Sequence, residues 1–142
     1  MANTKPIGVA YSDQDISGAD TISGSSIFAT SQLGYGTDAE GTVTQATSKS
    51  TGVTLNKSAG RITMNGASLA ATTTISFTLT NSLINTNDTI VLNISGGLAT
   101  AGTYNAWVDS LTAGSAVISL RNVSAGALLE AVILNFAIIH GQ

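Results

Sequence analysis

The stretch ALLEAVILNFAIIH, residues 127–140, decides the fold. Read with period two, Leu128, Val132, Leu134, Phe136 and Ile138 share one face, and Leu129, Ala131, Ile133, Ala137 and Ile139 share the other. A strand that is apolar on both faces must be covered on both, by a second sheet, by another subunit, or by one of each. The run is too short for a membrane span, and Glu130 and Asn135 interrupt it. A buried helix is the competing assignment, since Ala, Leu and Glu favour helices. Val132, Ile133, Ile138 and Ile139 are β-branched and the preceding segments alternate cleanly, which favours a central C-terminal strand. Leu128, Val132, Ile133, Leu134, Phe136 and Ile138 are therefore expected in the core or in a subunit interface.

Working back from that strand, the alternation is regular as far as Thr42. Residues 115–123 align Ala116, Ile118 and Leu120, and residues 103–111 align Tyr104, Ala106 and Val108. Residues 89–95 turn Ile90, Leu92 and Ile94 inward, and residues 73–80 turn Ile75, Phe77 and Leu79 inward. Shorter candidates lie over 61–65, 52–56 and 43–47. Short strands at regular spacing, with Gly and Asn turns between them, predict an all-β fold. The expected form is an antiparallel β-sandwich, jelly-roll-like, over residues 41–142. Aromatic residues are only 5% of the chain, so its core must be aliphatic.

The first forty residues differ. Single apolar residues are scattered among Gly, Ser, Asp and Thr, without a sustained period. They recur too often for a solvated tail, which would be poorer in hydrophobic residues and richer in charge. Residues 1–40 are expected to form an extended arm that docks on a neighbour, with the hinge in residues 34–41. Its apolar anchors would be Pro6, Ile7, Val9, Tyr11, Ile16, Ile22, Ile27 and Phe28.

Composition narrows the function. Charged residues make up 9% of the 142, against about 25% in ordinary soluble domains. A net charge of −3 with five Lys and Arg cannot supply the basic stripe that nucleic acid requires. No export signal is expected from the first residues, and no membrane partner. The absence of cysteine excludes disulfides and thiolate chemistry. The one histidine, His140, is expected to be structural or solvent-facing rather than part of a triad, and no GxSxG elbow occurs. GVTLNKS, residues 52–58, lacks the second glycine and the spacing of a phosphate loop. Asp13, Asp15 and Asp88 fall short of the ligand density of a calcium site. Trp107, opposite Tyr104 and Val108 in phase, is read as packing on a neighbouring subunit, with glycan binding as the other use. Neither enzyme activity nor a cofactor is expected.

Residues 34–84, GYGTDAEGTVTQATSKSTGVTLNKSAGRITMNGASLAATTTISFTLTNSLI, and 121–141, RNVSAGALLEAVILNFAIIHG, resemble a small module recurring in proteins of tailed bacteriophages and prophages. Residues 5–16, KPIGVAYSDQDI, resemble the start of small phage structural proteins encoded near head genes. The resemblance implies a virion structural protein, a capsid decoration (cement) protein or head fibre. It implies a homotrimer on the outer capsid surface, made in the host bacterial cytoplasm, with the major capsid protein as partner. The same module is similar to terminal domains of tail fibres. The other function class is therefore a receptor-binding module that displays residues 81–88 and 96–102 to host surface glycans.

Overall fold

The computed structural model describes Ser26, Ala29 and residues 31–141. The chain divides into two units, Met1–Leu33 and Gly34–Gln142. In the first, the described residues carry neither helix nor strand. The arm anchors Pro6, Ile7, Val9, Tyr11, Ile16, Ile22, Ile27 and Phe28 lie outside the described residues.

The second unit is all-β. A single 3-10 turn, Thr37–Ala39, precedes β1 (Glu40–Thr44), β2 (Val53–Thr54), β3 (Ala59–Thr63) and β4 (Thr74–Thr80). Then follow β5 (Thr89–Gly96), β6 (Tyr104–Thr112), β7 (Ser115–Asn122) and β8 (Ile133–Ile139). They form two four-stranded sheets, ordered β1-β3-β8-β5 and β2-β4-β7-β6.

Both sheets are mixed, which corrects the expectation of purely antiparallel pairing: β1 runs parallel to β3, and β2 to β4. The path of the chain is the cause. From β1 to β5 each strand lies in the other sheet from the one before, so strands two apart return to a sheet in the same direction. Residues 45–58 and 55–73 give the crossover length that a parallel pair needs. The later pairs, β3–β8, β5–β8, β4–β7 and β6–β7, are antiparallel. Only β6 and β7 are joined by a tight hairpin, through Ala113 and Gly114, where Gly114 takes φ +82.

The inward faces meet in one sandwich-like core. Ile62, Leu134, Phe136 and Ile138 of the first sheet join Phe77, Leu79, Ile118 and Leu120 of the second. Met64, Leu69, Ile84 and Val132 enter this core from the connections. Burial of each such side chain is worth roughly 1.5–3 kcal/mol. The core is mainly aliphatic, as the low aromatic content led one to expect, but Phe77, Tyr104 and Phe136 are also part of it.

Residues 133–139 are a strand between β3 and β5, so the helical alternative fails and the central position holds. The strand starts at Ile133, six residues later than the apolar run. Residues 127–132 instead carry the chain from β7 in one sheet to β8 in the other. There Leu128 forms an isolated bridge with Leu69, and the Val132 carbonyl accepts the Met64 amide at 2.8 Å. The inward parity of Val132, Leu134, Phe136 and Ile138 persists across this change, all four being buried.

Candidate functional site

The outer face of the first sheet is the surface on which the C-terminal strand displays its second apolar row. Ile133 and Ala137 are partly covered, while Ile139 on β8 and Val91 on β5 are 58% and 52% exposed. Val91 pairs with Ala137, which also pairs with Ala59, so small apolar residues bridge three strands. Only Glu40 and Arg61 are charged among the strand residues of this face. Asn135, at its centre, lies opposite Asn93 and accepts from Ser95 Oγ at 2.9 Å and Arg61 Nε at 3.4 Å. An open groove of about 390 Å³ runs beside it, lined by Glu40, Gly41, Thr42, Ala59, Gly60, Arg61, Asn135 and Phe136.

Close approach favours glycine beneath that groove. A Cβ on Gly60 would lie 2.6 Å from Leu55 Cδ2 and 2.9 Å from Phe136 Cε1, both of them core side chains. At the edge of the unit, Tyr35 donates its hydroxyl to the Ile138 carbonyl.

Two polar clusters hold the ends of the sandwich. Gln45 and Lys49 are buried in the β1–β2 connection. Gln45 Nε2 donates to the carbonyls of Lys49 (3.0 Å) and Thr51 (2.8 Å), and its Oε1 accepts the Asn65 amide at 3.0 Å. Lys49 Nζ donates to the carbonyls of Asn65 (2.6 Å) and Glu130 (2.5 Å). Burial lowers the Lys49 pKa, opposed in part by the Glu130 carboxylate. Tyr104 donates to Glu130 Oε2 at 2.9 Å; burial, then this bond, pushes the phenol above its usual range. Glu130 is held low by its own amide and by Tyr104. Every polar group here has a partner, so the cluster closes one end of the core.

At the other cluster, Asp88 accepts from the Asn85 amide (2.8 Å), the Gly141 amide (3.1 Å) and His140 Nδ1 (3.1 Å). The Asn85 amide is the main cause of its lowered pKa, aided by Gly141 and His140 against burial. His140 is thus half-exposed and structural, tying the C-terminal end to the β4–β5 connection.

The second sheet carries a different grouping on its outer face. Trp107, Ser119 and Ser76 lie directly opposite one another on β6, β7 and β4. The register slips between Val108 and Ser110, leaving Asp109 as the extra residue of a bulge. Its carboxylate accepts Trp107 Nε1 at 2.5 Å on one oxygen and the Ser119 hydroxyl on the other. Ser76 and Ser119 share a hydroxyl bond of 2.7 Å. Sequence reading singled out Trp107 but missed Asp109. The signal was present: Tyr104, Ala106 and Val108 keep even spacing, and the next inward residue, Leu111, comes after an odd step.

Of the core-strand residues expected from the sequence, Val132, Leu134, Phe136 and Ile138 gather inside, Leu128 is partly buried, and Ile133 lies on the outer face. Among the described residues no group of three or more His, Cys, Asp or Glu gathers at metal-binding distance. No helix among them is long and apolar enough to cross a membrane. No family model, curated protein or solved structure matches the chain.

Proposed function

We propose that the chain is a virion structural protein of a tailed bacteriophage, a capsid decoration (cement) protein acting as a homotrimer on the outer surface of the head. It acts by contact, not by catalysis, holding neighbouring major capsid subunits together. The observation that carries this is the outer face of the β1-β3-β8-β5 sheet. Its apolar row, Ala59, Ala137 and Val91, spans three strands with Ile139 beside it on β8; Val91 and Ile139 are more than half exposed, and there is little charge to keep the patch in water. Monomers seldom leave such a patch uncovered, and copies of the chain on a symmetry axis would cover it. In this scheme the fold is a jelly-roll-like sandwich, and the extended arm, residues 1–40, reaches onto the shell with Pro6, Ile7, Val9 and Tyr11 among its anchors.

The test is co-sedimentation of the full chain with phage heads stripped of their decoration protein. Saturable binding is expected, weakened at least about tenfold in a Val91→Glu, Ile139→Glu double variant. Absence of binding to heads, with binding to host cells instead, would replace the proposal with a receptor-binding role.

A further inference from the structure

The outer face of the β2-β4-β7-β6 sheet, which lies across the core from the contact face above, carries a second preparation for binding. Ser119 points away from the core, between the buried Ile118 and Leu120, yet it is only 1% exposed. Its hydroxyl-bonded neighbour Asp109 and its register partner Trp107 are placed to cover it. A tryptophan that merely shields a sheet can give its N–H to water. Here the strand instead inserts an extra residue whose carboxylate holds the indole N–H at 2.5 Å and is itself held by Ser119. Bulges re-aim side chains at the cost of regular pairing and are enriched near sites. The result is an indole fixed in orientation on a rigid strand and still partly open to solvent.

The surroundings suit one chemical class. On the neighbouring row of this face stand Asn105, Arg121 and Thr74, paired in register. Asn105 and Arg121 are exposed, and no hydrogen bond or ion pair engages either side chain among the described residues. Thr78 and Ser110 flank the other side. The platform is thus one flat aromatic plate set among amide, guanidinium, hydroxyl and carboxylate groups, with Val117, between Thr78 and Ser110, as its apolar neighbour on the strands. A pyranose needs what is here: its C–H face stacks on an aromatic plate, and its rim of hydroxyls bonds to planar polar side chains.

We propose that Trp107 and Asp109, with Asn105 and Arg121, form a carbohydrate-binding site for a hexopyranose unit of an oligosaccharide. Trp107 is the stacking plate, Asp109 its positioning residue and a hydroxyl acceptor, and Asn105 and Arg121 are donors to the sugar rim. The site is independent of capsid binding and occupies the opposite sheet.

Trp107 is the only tryptophan in the chain, so its emission reports the site directly. The full-length protein is applied to an array of neutral hexose and N-acetylhexosamine oligosaccharides, and the best-retained glycan is then titrated while indole emission is followed. Saturable retention with a shift in emission is expected. Trp107→Ala should lower retention at least about tenfold with little change in melting temperature, and Trp107→Phe should keep part of it. Asp109→Asn should weaken binding while the plate remains. Retention of no glycan by the wild type beyond that by Trp107→Ala overturns the proposal. So does emission that responds to protein concentration alone, which would make Trp107 a subunit contact.

Discussion

Gly60 shows how one missing side chain shapes the contact sheet. It pairs with Phe136 across β3 and β8, and the ring of Phe136 and the side chain of Leu55 fill the space where a Cβ would be. Gly60→Ala is expected to lower stability by about 1–3 kcal/mol through overpacking, measured by urea denaturation. Phe136→Ala leaves a cavity instead and should cost about 3–5 kcal/mol in the same assay. Asp88 tests the electrostatics. Its folded pKa lies below the ordinary 3.8, so its contribution is present above that value and is lost as pH falls through the folded one. Asp88→Asn should therefore be less stable than wild type above about pH 5, with the gap closing in acid. A gap that is unchanged down to the acid limit would show that the carboxylate's charge is not what holds Gly141 and Asn85.

Among the elements, legibility followed burial. β4 to β7 were found nearly to the residue, because each has one face in the core and one in solvent. β1 was expected at 43–47 and forms at Glu40–Thr44; the Gln45 backbone amide still bonds the Thr63 carbonyl, but its side chain turns to the loop backbone. That arrangement is made by a polar side chain with its own connection and leaves no periodic trace. The parallel pairing was invisible for the same reason: alternation fixes which face a residue occupies and is silent on the strand beside it. The Trp107–Asp109 grouping was half legible, as an odd step in the inward spacing. Gln45→Ala removes two donors and one acceptor at once and is expected to destabilise by about 2–4 kcal/mol in thermal unfolding. A smaller loss would mean that water replaces the amide there.

For the molecule as a whole, the two outer faces divide the work. Each carries two charged strand residues; the sheet containing β8 adds an apolar row, and the other adds hydroxyls, amides and one tethered indole. A chain with 9% charged residues has few means of keeping the first face solvated, which is why self-association is central to the proposed role. The most direct test is the molar mass of the full-length protein by light scattering at micromolar concentration, beside that of the Val91→Glu, Ile139→Glu double variant. A trimer mass for the wild type and a monomer mass for the folded double variant are the predicted results. A monomeric wild type, or a double variant that stays trimeric, would contradict the assignment of this face as the contact surface.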